Sequence, residues 1–352
     1  MKQVINIFLF VLCFTIISCH DDDTVVSGLT IIKADTNLKA IGGEASIQIQ
    51  AIGEIKATSD VEWCQVAEVT TEIVKLSVLE NTDYPGRSAQ IIITNGNQTE
   101  QVTLIQEGAI FIYNKSEQIQ STNNDAAVLP IKLSSSFPIQ VLIPEKNKNW
   151  LSFNPSADGN GGSFIVSENN TGEARGSDVT ITAGKRTLTY QVLQYNAENF
   201  VGNWKGTYTN QGYQYSLPEV SISTPDENGI YTISGLYKTS LYDYKIQATY
   251  QNNMFNATAG QEVGSNVSSG LPLTVYFCIV DGTGLPVWTP DNSIGLIPVL
   301  LSDGSFVLAF ADNGGIPGGV ADKISFAGFL GEPSYSSFQG NIRILGNCFF
   351  FR

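Results

Sequence analysis

Hydrophobic and polar residues alternate with a period of two along much of the chain after residue 28. Ser46 to Ala51 and Val74 to Leu79 place apolar side chains at every second position, the pattern of strands with one buried face. Ala89 to Thr94 runs into Asn95-Gly96 and is answered by Thr99 to Ile105, which predicts a hairpin at an Asn-Gly turn. Val179 to Thr182, Ala183-Gly184-Lys185 and Thr187 to Leu193 repeat that arrangement. No segment after residue 19 carries a convincing 3.6-residue period. The expected fold class is therefore all-β.

Two stretches in the middle of the chain share one spacing. Trp63 to Asn81 is 18 residues and Trp150 to Asn169 is 19; Asn81 to Arg87 and Asn169 to Arg175 are both 6; Arg87 to Gln106 and Arg175 to Gln194 are both 19. Four anchors at nearly constant separation describe a duplicated domain rather than a short solenoid repeat. Short strands punctuated by turns, in about 80 residues per copy, predict two immunoglobulin-like β-sandwiches in tandem, over 28–107 and 108–195. Gly176, between Arg175 and Ser177, reads as an insertion at a strand start in the second copy. Trp63 and Trp150 are expected in the cores, with a sugar platform as the alternative, and Arg87 and Arg175 are expected to bond carbonyls or a strand end locally.

The region 199–352 differs in composition: ten of the 14 Tyr and 11 of the 18 Phe fall between residues 200 and 352. Strands are expected near Glu219–Ser223, Ile230–Leu236, Tyr242–Tyr250, Leu273–Val280, Leu296–Leu301, Ser305–Phe310, Ser325–Phe329 and Asn341–Phe351, separated by turns such as Asp303-Gly304. That number suits an antiparallel β-barrel or a jelly roll. Gly202-x-Trp204 at the first strand, with Arg343 on the last, resembles the lipocalin-type barrel. The resemblance implies Trp204 packed against Arg343 at the closed end, and a small-ligand carrier as one alternative function.

Charge narrows the chemistry. With 19 Lys and Arg against 33 Asp and Glu the net charge is −14, which argues against nucleic acid as a partner. His20 is the one histidine, so neither a Ser-His-Asp triad nor a His-rich metal site can be assembled. Asp226, Asp303 and Asp312 fall in turns, and Asp281-Gly282-Thr283-Gly284 reads as another turn. Gly314 to Gly319 lacks the context of a phosphate loop. No catalytic residue, metal or cofactor is assigned, and the protein is not expected to be an enzyme. Cys278 and Cys348 are read either as one bridge or as two buried thiols.

The first residues supply an address. Lys2, the apolar stretch Val4 to Ile17 and Ile16-Ile17-Ser18-Cys19 resemble the lipobox of a bacterial lipoprotein signal peptide. The apolar run is shorter than the ~20 residues of a membrane-spanning helix. The resemblance implies a leader at 1–18, acylation of Cys19 and a lipid bilayer as partner. His20-Asp21-Asp22-Asp23, within a tether at 19–27, resembles the acidic export signal of surface lipoproteins of Bacteroidetes, which implies an outer-membrane location facing the exterior.

The paired Trp, Asn-before-Arg and terminal Gln anchors resemble the BACON family (Bacteroidetes-associated carbohydrate-binding, often N-terminal) over roughly residues 28 to 195. That family resemblance implies binding of a polysaccharide or mucin glycan, or service as a spacer behind a working module. Spacers are the favoured reading, which moves the expected site into 199–352. Trp288, on a loop stiffened by Pro286 and Pro290 and flanked by Asp291 and Asn292, suits stacking on a sugar with polar side contacts. Tyr213 and Tyr215 are further candidates. Tyr242 and Tyr244 alternate on one strand face, which is either a core face or a tyrosine-lined surface. Expected function is non-catalytic glycan capture at the cell surface; the alternative is a structural subunit partnering an outer-membrane transporter.

Overall fold

The computed structural model describes residues 28–352 apart from positions 97 and 283. The expected leader, the acylated Cys19 and the acidic tether lie outside the described residues. The chain divides into one unit ending at Ala109 and a second beginning at Ile110. Among the described residues no helix is long and apolar enough to cross a membrane.

The first unit is a sandwich of two four-stranded sheets. Leu29–Asp35, Gly43–Ala51, Ile73–Val78 and Cys64–Val69 form one, in that order; Asn37–Leu38, Thr99–Gln106, Arg87–Thr94 and Lys56–Ser59 form the other. Period-two alternation aims Ile47, Val74 and Leu76 from one sheet at Ile91, Ile93 and Leu104 from the other, all fully buried. The predicted hairpin is present, with Thr94 opposite Thr99 and Gly96 at φ 93°.

The second unit opens with a like sandwich. Ile119–Thr122, Arg186–Gln194, Arg175–Ala183 and Ile139–Leu142 form one sheet, and Ala127–Ile131, Gly162–Val166 and Leu151–Pro155 face it across Phe164, Val179, Ile181 and Tyr190. Both sandwiches also share a parallel pairing of an early strand with the last one.

The spacing seen in the sequence becomes one polar knot, built twice. Arg87 Nε donates to Gln106 Oε1 at 2.8 Å and its Nη2 to the carbonyls of Leu79 and Glu80 at 2.9 and 3.0 Å. Arg175 does the same to Gln194 at 2.8 Å and to Ser167 and Glu168 at 2.8 and 3.1 Å. Each guanidinium also covers a ring, Arg87 over Trp63 at 4.1 Å and Arg175 over Trp150 at 4.7 Å. Asn81 and Asn169 each donate to a carbonyl four residues on, at 3.0 and 2.8 Å. Trp150 is buried and Trp63 half-buried, so these rings close the sandwich ends. Gly176 is not an insertion: Arg175 pairs with Gln194 and Gly176 with Leu193, just as Arg87 pairs with Gln106 and Ser88 with Ile105.

Eight strands then close a barrel, in the order Gly202–Asn210, Tyr213–Ile222, Ile230–Lys238, Asp243–Gln251, Met254–Thr258, Ser293–Leu300, Phe306–Ala311 and Phe338–Phe351. The circle shuts where Phe351 lies opposite Lys205 and Phe350 opposite Gly206, which decides for a barrel against a jelly roll. The 14-residue last strand is long enough to do two jobs. Its first half pairs with Ala321–Phe329, which continues through Leu271–Asp281 to Gln261–Ser268 as a wing.

The wing's inner face adds Val275, Phe277, Ile324 and Phe326 to the barrel core, and its outer face carries a satellite cluster of Tyr276, Cys278, Ala327 and Phe329. Cys348 belongs to the first cluster and Cys278 to the second, so both remain free thiols. The interior is packed with side chains, among them Trp204, Ile233, Ile246, Phe255, Phe326 and Phe350, each at most 4% exposed. A lipocalin-like carrier would need that volume for its ligand.

The second sandwich and the barrel share this core. Leu193, Tyr195 and Ala197 are buried with Phe200 and Leu300. The Tyr195 hydroxyl donates to the Asn253 carbonyl at 3.2 Å, and Asn253 Nδ2 donates to the Ser121 carbonyl at 3.2 Å. A Cβ on Gly176 would sit 2.8 Å from Leu300 Cδ2 and 3.0 Å from Leu193 Cδ2. Glycine is there because the barrel is.

Candidate functional site

The Trp288 loop is fixed at both ends. Pro286 and Val287 pair with Val280 and Ile279 on the wing. After the tryptophan, Asn292 N–H donates to the Thr289 carbonyl at 3.0 Å and Asn292 Nδ2 bonds the Thr289 hydroxyl. At Gly260 (φ +77°) a Cβ would stand 2.1 Å from the Trp288 carbonyl oxygen, so only glycine lets the loop approach.

Trp288 is half-buried and packs edge-on against Phe329 at 5.5 Å and Tyr335 at 4.9 Å. Tyr335 is the open member of the pair, 79% exposed. Its backbone is set by neighbouring serines: Ser337 Oγ donates to the Glu332 carbonyl at 2.6 Å, and Ser337 N–H donates to Ser334 Oγ at 3.1 Å. Asp291 is exposed beside the loop. An aromatic face held this way loses little freedom when it binds a flat ligand. Asn292, expected among the ligand contacts, is corrected: it is buried and its amide is committed to the turn.

The tyrosine candidates gather at the other feature of the barrel, its open end. Residues 217, 215 and 213 share one strand face and are 3%, 44% and 70% exposed, so the filled interior gives way to a mouth toward the hairpin tip. Tyr215 stacks on Tyr208 with ring centres 5.2 Å apart and planes 18° from parallel; Tyr237 stacks on Tyr244 at 4.8 Å and 13°. Arg343 lies between the pairs, its guanidinium carbon 4.5 Å from the Tyr237 ring and 5.7 Å from the Tyr208 ring.

Tyr242, half-buried, leans on Tyr244 at 5.9 Å. Tyr244 is corrected to a core residue: it is 2% exposed, its hydroxyl donates to the Ser265 carbonyl at 3.1 Å, and burial pushes its pKa up to about 12.

Arg343 does not meet Trp204. Pairing of Lys205 with Phe351 instead sets Arg352 beside that indole, at 4.1 Å, while Arg352 donates to the Val201 carbonyl at 2.7 Å. Antiparallel register is the cause, since residue 343 lies well before the strand's end and so reaches the opposite mouth. Trp204 itself is buried, with its Nε1 donating to the Phe200 carbonyl at 2.9 Å.

A cleft of about 750 Å³ opens on the barrel's outer surface where the third strand parts from the second, lined by Lys205, Glu219, Lys238, Asp243 and Arg352 among others. Lys238 and Glu219 pair across it at 2.6 Å, and Trp204 in its lining is 4% exposed with the Arg352 guanidinium over its ring. The carboxylates of the turns are already engaged. Asp226 accepts from Asn228 and Ile230 N–H at 2.9 Å, and Asp303 from Ser305 N–H at 2.9 Å and Oγ at 2.7 Å. Among the described residues no three His, Cys, Asp or Glu side chains gather as a metal site requires.

Tyr335 and Tyr237 are the residues that sequence reasoning passed over. A tyrosine inside Ser334-Tyr335-Ser336-Ser337 is the signal that marks the first as a presented ring.

A family model described as BACON, a putative N-terminal binding domain, matches residues 53–107, within the first sandwich. No curated protein matches the chain. Among solved structures the chain is similar to the I9–I11 tandem of titin, at TM-score 0.32 and 11% identity over 85% of this chain and 97% of that one. It is also similar to the mutated I67–I69 titin tandem, at 0.29 and 9% over 62% and 96%. An endo-fucoidan hydrolase of glycoside hydrolase family 107 is similar at 0.25 and 10% identity over 47% of this chain, which spans 28% of the hydrolase. At these scores no argument about this chain is taken from them.

Proposed function

We propose that the protein is a non-catalytic glycan-binding protein, anchored in the outer membrane through acylated Cys19 and facing the cell exterior. The carrying observation is the Trp288–Tyr335 ring pair on loops locked by Gly260, Asn292 and Ser337. A half-buried Trp288, an exposed Tyr335 and the exposed Asp291 three residues on from the tryptophan supply what a neutral sugar asks for: apolar ring contact with hydrogen bonding at the edge. The BACON match over 53–107 supports a carbohydrate setting. Both polar knots turn their arginines and tryptophans inward on themselves, which favours the sandwiches as spacers. The test is affinity electrophoresis of the mature chain through gels containing polysaccharides. Retardation that is lost in both Trp288→Ala and Tyr335→Ala, with unchanged thermal unfolding, supports the reading; retardation equal in wild type and variants overturns it. Cys19→Ala is expected to move the protein from the membrane fraction to the soluble one.

A further inference from the structure

Arg343 is half-buried, yet among the described residues it makes no side-chain hydrogen bond and no ion pair; its recorded contacts are the faces of Tyr208 and Tyr237. Its nitrogens keep access to solvent. A guanidinium presents five donors, and partly desolvating it without a partner costs free energy. In the two polar knots the same side chain is fully engaged, each arginine holding a glutamine and two carbonyls. The difference is informative. Two rings stand beside the guanidinium and none of its donors is taken by a protein acceptor among the described residues, and a guanidinium with free donors pairs best with a bidentate oxyanion. Tyr215, 44% exposed and stacked on Tyr208, and half-buried Tyr242, leaning on Tyr244, extend the two ring pairs that Arg343 lies between.

We infer that the barrel mouth is a second binding site, in which Arg343 takes a carboxylate of an acidic sugar while Tyr215 and Tyr242 flank its ring. The sugar as carrier of the acid rests on the glycan-binding reading above; the oxyanion site itself does not. The net charge of −14 repels a dense polyanion as a whole, while a single guanidinium still attracts one carboxylate, so the site selects acids spaced along a chain.

The test has two arms on the full mature chain. In affinity gels containing xanthan, which carries spaced glucuronates, wild type is expected to be retarded. Arg343→Gln is expected to bind about ten-fold to a hundred-fold more weakly, the loss of a charge-assisted pair. Arg343→Lys falls between, keeping the charge without the fork. Dextran serves as the neutral control and dextran sulfate as the dense one. In the second arm, glucuronate alone is titrated while the Nε–Hε resonance of Arg343 is followed in wild type and in Trp288→Ala; it is expected to shift in both. A shift without retardation in any gel leaves the oxyanion site standing and defeats the glycan reading. An unmoved resonance, equal retardation of wild type and Arg343→Gln, or retardation by dextran sulfate that Arg343→Gln does not change overturns the inference. A purely structural arginine would lower the unfolding temperature of Arg343→Gln and leave binding unchanged.

Discussion

The two sandwiches carry one polar knot and differ in what their last strand faces. In the first, Ile105 is 52% exposed and Glu107 reaches out to an exposed ion pair with Lys39. In the second, the equivalent residues are Leu193 and Tyr195, 1% and 3% exposed inside the barrel's core, and Ser88 has become Gly176 under Leu300. The knot is therefore the framework common to both copies, and the edge beside it is the part free to change. The second sandwich mounts the barrel where three positions, Gly176, Leu193 and Tyr195, are small or apolar.

Changes at equivalent positions break this comparison most sharply. Tyr195→Ala removes a ring held edge-on by Phe200 and Phe306 at 5.2 and 6.0 Å and is expected to cost about 3–5 kcal/mol. Glu107→Ala, its counterpart, should stay within about 0.5 kcal/mol. Gly176→Ala overpacks the joint by about 1–3 kcal/mol, whereas Ser88→Ala, at an exposed site, should be neutral. Urea unfolding followed by tryptophan fluorescence checks both pairs, since Trp63 reports the first unit and Trp150, Trp204 and Trp288 the second. Arg87→Ala and Arg175→Ala test the sameness instead: each strips two carbonyls and a glutamine, and losses of about 1–3 kcal/mol in each copy are expected. A large loss in one copy alone would refute a shared knot.

A pH-dependent effect again divides the units. Burial pushes the Tyr195 and Tyr244 hydroxyls and the Cys278 thiol each up to about 12, from ordinary values of 10.0 and 9.0. Unfolded, these groups ionise earlier than they do folded. Their stabilisation is complete below pH about 9 and is lost as pH rises toward about 12. All three lie in the second unit, so its urea midpoint should fall further between pH 8 and about 11 than that of the first.

Much of this was legible in the chain because it is local. Alternation named the strands, Asn95-Gly96 a hairpin, and constant spacing between Asn81, Arg87 and Gln106 and their partners a shared motif. What stayed hidden depends on register and on distant neighbours. Arg343 and Arg352 are both basic residues of the C-terminal segment, one inside the last strand and one just after it, and only the pairing of Lys205 with Phe351 decides which meets Trp204. Leu193 and Ile105 look alike in an alternating pattern, and only the barrel's position buries one of them. Trp288 and Tyr335 come together through the wing, whose strands are joined by the long final strand. Gly176 looked like an insertion because the residue that requires it, Leu300, is remote in sequence.

The proposed function puts ligand capture in the barrel and leaves the sandwiches to carry it. Retardation of the mature chain in polysaccharide affinity gels, compared among wild type, Trp288→Ala and Trp63→Phe, tests it most directly. The claim predicts that Trp288→Ala weakens binding about ten-fold or more, as loss of an aromatic anchor does, while Trp63→Phe binds as wild type. Binding lost with Trp63→Phe and kept with Trp288→Ala would place the site in the first sandwich and contradict the claim.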